Sequence, residues 1–329
     1  MLSDNDLSKR MKNLDPASTP HLEPLSARAE ADLLSITNVR RARENRAPQK
    51  RMWIAIPSVA AALVLLLVVF QKVVGAPFLT PSAQAATPPL LVGTGEKLPF
   101  GDAMKRAAEQ ARDSRTDARR YSNSEAWFLD TQVDDKGRGA SFVAPQVVTT
   151  TWKEDLSGEV SIVAGQAYEP GRSTVVLDAP PEGSVISSEK YATGEFGVMF
   201  PSTPPDDAAD MGDYLNAAMG APISDAITAL DAVTLLLNEW TLDGAQEAAL
   251  LEYLADVPGF EPLGHVTDRL NRPGIAFDAA SSANKNFTAV LVVSSENGSI
   301  LSVEKIYVGG IAEYAHLTPP AVTSYIVWK

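Results

Sequence analysis

The chain has 329 residues, of which 45% are hydrophobic; that is enough for about two domains at the usual ~150 residues each and excludes wholesale disorder. Against 28 basic residues stand 41 acidic ones, a net charge of −13, which excludes nucleic acid as a main partner because phosphate binding rests on clustered Lys and Arg. Cysteine is absent, removing disulfides, thiolate nucleophiles, Cys-based zinc and iron–sulfur sites and a lipid-modified N-terminal Cys.

Residues 1–52 read as a short cytoplasmic basic tail. Within it Leu25, Ala29, Leu33, Ile36 and Val39 recur at spacings of three and four, the stripe of an amphipathic helix suited to a partner helix or the inner leaflet; a poorly ordered stop-transfer tail is the alternative. Residues 53–75 are predicted to be a transmembrane helix. From Ile54 through Pro57 and Leu65 to Phe70 the chain runs seventeen residues without a charge, about 25 Å of helix at ~1.5 Å per residue. Pro57 falls in the first turn, where its missing N–H costs nothing. A cleaved signal peptide fits poorly, because 53 residues precede the run and Ala83-Gln84-Ala85 lies well beyond its end.

Arg40, Arg41, Arg43, Arg46, Lys50 and Arg51 crowd the N-terminal flank, opposed by Glu44. The positive-inside rule then puts the N-terminus in the cytoplasm and the C-terminal part outside the plasma membrane. From Val73 onward there are 17 basic and 34 acidic residues, a net of −17.

Residues 76–100 hold Pro77, Pro81, Pro88, Pro89 and Pro99 among small residues, the composition of an extended extracytoplasmic linker. Residues 101–329 are predicted to form an extracytoplasmic α+β domain, an antiparallel sheet with inserted helices. A helix is expected over 101–115, and strands over 121–133, 147–153 and 159–164. Gly158 is expected at the left-handed position of the hairpin at Asp155-Leu156-Ser157. After a loop-rich stretch, Ile227, Leu230, Val233, Thr234 and Leu237 form the stripe of a helix over 224–240, and Asp243 with Gln246 resembles the capping box of another. Strands follow over 263–270, 275–279, 287–293 and 299–308. A type II turn is expected at Asn271-Arg272-Pro273-Gly274 and a hairpin turn at Glu296-Asn297-Gly298.

Several of these stretches carry a resemblance: Ala86-Thr87-Pro88-Pro89-Leu90-Leu91, Glu125-Ala126-Trp127, Thr151-Trp152 with Leu156-Ser157-Gly158, Leu236 through Val257-Pro258-Gly259-Phe260 to Gly264-His265-Val266-Thr267-Asp268, and the Gly298 hairpin. On them the chain resembles the actinobacterial single-pass membrane proteins of unknown function that often accompany extracytoplasmic-function sigma factors. The resemblance implies an exported domain on a membrane anchor and supplies no catalytic residues. By analogy it also suggests a concave antiparallel sheet similar to lipoprotein carriers and periplasmic stress sensors.

No nucleophile elbow, P-loop, Gly-x-Gly-x-x-Gly fingerprint, His-Glu-x-x-His motif or calcium loop is present. Of His21, His265 and His316, His265 has Asp268 three residues on, but on a strand the two face opposite sides, which weakens a metal reading. No catalytic residue, cofactor or metal site is assigned. Trp127, Phe128, Trp152 and Ile162 are the candidates to line an apolar concavity, with core filling as the alternative. Between Lys190 and Arg269 lie fourteen carboxylates and no Lys or Arg, read either as a solvated surface or as a face for a cation or basic peptide.

The expected function is a non-enzymatic, membrane-anchored extracytoplasmic binding or sensor domain. Its partners are the lipid bilayer through the anchor and an envelope ligand or protein. The alternatives are a sigma-factor regulator of the anti-sigma type, with a cytoplasmic sigma factor as partner, and an envelope hydrolase.

Overall fold

A computed structural model describes residues 86–129, 142–170, 179–281, 283–314 and 317–329. The predicted tail, its basic flank and the span at 54–70 lie outside the described residues. Among the described residues no helix is long and apolar enough to cross a membrane.

The elements are α1 (Phe100–Arg112), β1 (Tyr121–Phe128), β2 (Gln146–Trp152), β3 (Gly158–Ala164), β4 (Val185–Tyr191), α2 (Ala208–Met219), α3 (Ala226–Leu237), α4 (Gly244–Ala255), β5 (Phe260–Thr267), β6 (Pro273–Ala279), β7 (Phe287–Ser294), β8 (Ile300–Tyr307), a short 3₁₀ turn (Ala312–Tyr314) and β9 (Ala321–Trp328). The nine strands among the described residues join one sheet in the order β4-β3-β2-β1-β9-β8-β7-β6-β5, and every pairing is antiparallel. Two meanders, β1–β4 and β5–β9, therefore fuse through the β1–β9 pair. Helices α2, α3 and α4 carry the chain from the β4 edge to the β5 edge. This is an α+β architecture.

The sequence explains which strands are deepest. Strand β7 reads as an unbroken apolar run because both of its faces are covered. Ala289, Leu291 and Val293 join the core shared with the helices, while Val290 and Val292 join a second apolar cluster on the opposite face. Under the helices, Phe100 of α1 stacks on Phe260 with centroids 4.0 Å apart and meets Phe277 edge-on at 5.0 Å; each such burial contributes roughly 1.5–3 kcal/mol.

The helices start where the sequence places caps. Asp207, Asp225 and Asp243 each accept backbone N–H bonds at the head of α2, α3 and α4, and Asp243 with Gln246 forms a complete capping box.

Three elements lie outside the expected set: β4, α2 and β9. Strand β4 (Val-Ile-Ser-Ser-Glu-Lys-Tyr) is an edge with one polar face, and α2 has Gly212 at its centre and two Asp on its outer side, so neither shows a strong apolar period. Strand β9 does alternate, but two prolines precede it, and its central place comes from pairing with β1 and β8.

Two turns also differ from expectation. At the Asp155–Gly158 hairpin Leu156, not Gly158, takes the positive φ of 56°; Gly158 is glycine because a Cβ there would fall 2.6 Å from the Phe196 ring. At the β5–β6 turn Asn271 takes the left-handed position with φ of 63°, and Pro273 opens β6.

Residues 86–99 lie on the folded body. Leu91 packs into the second apolar cluster, Arg269 donates to the Pro89 carbonyl at 2.7 Å, and Thr94 exchanges backbone bonds of 2.9 and 2.8 Å with His265 on the β5 edge.

Candidate binding cavity between the sheet and helix α3

Strand β1 places Ser122, Ser124, Ala126 and Phe128 on the face toward the helices, because successive side chains alternate. Three of these four are small. The cross-strand row through Ser124 continues as Val148, Ile162 and Ser187, and the next as Ser122, Thr150, Val160 and Glu189. Such short side chains cannot fill the space beneath a helix, and a cavity of about 540 Å³ results.

Its roof is helix α3 and the segment after β4. Asp231, Thr234, Leu235 and Asn238 face the cavity, the i, i+3, i+4, i+7 stripe of one helical face. The other face, with Leu230, Val233 and Leu237, is in the core. Phe196 and Gly197 close one side. At one end of the floor Phe128, Ser324 and Lys305 lie side by side on β1, β9 and β8, and there Lys305 Nζ meets the Asp231 carboxylate at 2.7 Å with both side chains partly exposed.

Glu239, just past the end of α3, is buried and lines the cavity. Its two carboxylate oxygens accept the backbone N–H groups of Met199 at 2.7 Å and Phe200 at 2.9 Å. Burial outweighs those two bonds and pushes the carboxyl up to about 7. The surroundings are rigid: Trp152 Nε1 donates to the Glu239 carbonyl and Trp240 Nε1 to the Phe200 carbonyl, both at 2.8 Å. The two indoles meet edge-on at 5.4 Å, and the Arg120 guanidinium lies 5.1 Å from each ring.

Of the four residues named for an apolar concavity, Phe128 and Ile162 line this cavity. Trp152 shares the face but sits beyond the cavity in the core under the helices. Trp127 is a correction: alternation sends it to the opposite face, where it lies over Tyr325 with centroids 6.2 Å apart. The small floor residues Ser122, Ser124 and Ala126 escape a reading that looks for large apolar side chains; small residues alternating on a strand are the signal that finds them.

His265 and Asp268 do not make a joint site. His265 is exposed on the β5 edge. Asp268 is buried and holds the following turn, accepting from the Leu270 and Arg272 N–H groups and pairing with the Arg272 guanidinium at 2.6 Å.

The structure distributes the fourteen carboxylates. Asp207, Asp225 and Asp243 are helix caps. Glu252 pairs with Arg112, Asp231 with Lys305 and Asp268 with Arg272. Glu195, Glu239 and Glu247 accept backbone N–H groups. These nine acids need no cation from within the interval, because N–H groups and Arg and Lys from elsewhere in the chain match them.

No protein-family model and no curated protein matches the chain. Among solved structures it is similar to MucB, at 9% identity over 70% of this chain with a TM-score of 0.25. It is similar also to the MucA/MucB complex of Pseudomonas aeruginosa, at 8% identity over 70% of this chain with a TM-score of 0.23. A third likeness is to an outer membrane lipoprotein-sorting protein domain from Vibrio parahaemolyticus, at 8% identity over 70% of this chain with a TM-score of 0.22. The matches span 56%, 55% and 91% of those chains respectively, so the chain corresponds to just over half the length of the first two.

Proposed function

We propose that this protein is a non-enzymatic, single-pass membrane-anchored binding protein of the cell envelope, whose extracytoplasmic α+β domain takes an apolar ligand between its sheet and helix α3. The cavity is the observation that carries the reading. Its volume of about 540 Å³ falls inside the ~300–1,000 Å³ range of small-molecule sites. A sealed, empty apolar void of that size would cost on the order of 10 kcal/mol, comparable with the whole stability of a domain. A fold keeps such a space when solvent or a ligand can enter it, and the partly exposed Lys305 and Asp231 mark where that happens.

The anchor supports the same reading. Eleven residues separate Val74 from Ala86, a reach of at most about 40 Å at ~3.5 Å per residue, so the domain stays close to the bilayer that would supply an apolar ligand.

The test is purification of the full chain from its native membrane into nanodiscs, followed by native mass spectrometry. An amphiphile retained at one per chain, and lost in a Ser124→Leu variant that still folds, is the expected result. Wild-type chain that retains nothing and gives no saturable binding of an apolar fluorophore above that of empty nanodiscs would overturn it.

A further inference from the structure

The polar groups around the cavity are unbalanced in charge. Among the described residues its walls hold three carboxylates, Glu189, Asp231 and Glu239, and one ammonium, Lys305. Asp231 already neutralises Lys305 at 2.7 Å. Glu239 is satisfied by backbone N–H groups alone, and Glu189 by the Tyr191 hydroxyl at 2.7 Å. Among the described residues neither Glu189 nor Glu239 has a cation in ion-pair contact, and the roof between Lys190 and Arg269 contributes none. The rest of the wall is mainly aliphatic or aromatic, with Phe128, Val148, Val160, Ile162, Val303 and Ile326 along its length.

From this juxtaposition we infer that the occupant is a single-chain amphiphile with a cationic head, its alkyl chain lying along the apolar floor and its ammonium group facing Glu189 or Asp231. The inference rests on the cavity being a ligand site, as proposed above, and adds the head-group chemistry. An anionic head entering the same space meets the unpaired Glu189 carboxylate, or has to displace Asp231 from Lys305. It also approaches through the field of an exported part carrying a net charge of −17, which slows and weakens its association. An ammonium gains a partner at Glu189 without breaking any ion pair. In partly desolvated surroundings one added charge pair changes affinity by roughly tenfold.

The experiment is photo-crosslinking of the full chain in phosphatidylcholine nanodiscs. Three dodecyl probes carry a diazirine in the chain and differ in the head: an amine, a hydroxyl and a carboxylate. Labelled residues are identified by peptide mass spectrometry. The amine is expected to label cavity residues such as Ala126, Ile162 and Ile326 roughly tenfold more than the carboxylate at equal membrane loading. Glu189→Gln is expected to lower amine labelling, and Asp231→Asn, by releasing Lys305, to raise carboxylate labelling. Circular dichroism spectra of both variants that match wild type show that the fold around the cavity is intact. If the hydroxyl probe labels the cavity while the amine does no better than the carboxylate, the head-group inference fails and the cavity reading stands. If no probe labels the cavity, both fail.

Discussion

Arg269 and Glu304 form a two-point ion pair on the face of the sheet away from the helices. Arg269 Nε and Nη2 donate to the two Glu304 carboxylate oxygens at 2.9 and 2.6 Å. The pair sits beneath residues 86–91, with the guanidinium also holding the Pro89 carbonyl and lying 5.5 Å from the Tyr325 ring centre. Burial still raises the Glu304 carboxyl above its ordinary value, with Arg269 opposing, so the pair holds a charge that is costly to keep once its partner is gone.

Removing one member should therefore be severe. Arg269→Met is expected to cost about 3–5 kcal/mol in denaturant unfolding, because it leaves Glu304 buried and unpaired. The double variant Arg269→Met/Glu304→Leu should recover much of that loss. A double variant no more stable than Arg269→Met would show that the unpaired Glu304 charge is not the source of the loss.

Glu239 makes stability depend on pH in a defined direction. Its carboxyl is raised from 4.5 to about 7, so over that window the folded state binds the proton more tightly than the unfolded state, and stability falls as pH rises. The full contribution is about 3 kcal/mol, since each tenfold difference in proton affinity between the two states is worth ~1.4 kcal/mol. Urea melts between pH 5 and pH 7 should show a shallower decline for Glu239→Gln than for wild type. The decline should not vanish, because burial also pushes Glu247 up to about 7. Superimposable slopes would remove Glu239 from the account.

Gly298, in the β7–β8 hairpin, has φ of 76°, and a Cβ there would run into the Ala107 carbonyl oxygen. Gly298→Ala is expected to lose at least about 2 kcal/mol from left-handed strain and from displacing α1. Thermal unfolding measures it, and an unchanged midpoint would mean that α1 does not pack on this turn.

Filling the cavity floor should separate binding from folding. Ser124→Leu adds apolar volume to a cavity of about 540 Å³, so stability should change by less than about 1.5 kcal/mol while binding of an apolar fluorophore falls at least tenfold. Unaltered fluorophore binding would place the ligand elsewhere.

Much of the fold was legible because it is written in local periodicity. The stripe Leu230, Val233, Leu237 and the Asp243–Gln246 box set α3 and the start of α4, and the apolar run at 287–293 marked a strand. Strand β4 and helix α2 were not legible, since Ser187, Ser188 and Gly212 carry no strong preference and are held by their neighbours.

The candidate site was half legible. Aromatic and β-branched residues marked the strands, but a neighbouring pair such as Trp127 and Phe128 cannot be told apart without knowing which face the helices cover, because one residue of slippage exchanges the faces. Composition, charge and hydrophobic period belong to short stretches of chain, and so the sequence alone determined an uncharged run at 54–70, an antiparallel α+β domain and an acidic middle region. The cavity arises where β1, β3, β8 and α3 meet, residues far apart in the chain. Only the tertiary structure decided that small side chains would lie beneath α3, that Asp231 would reach Lys305 and that Glu189 would be left facing the space, because register and helix placement are set by packing between distant segments.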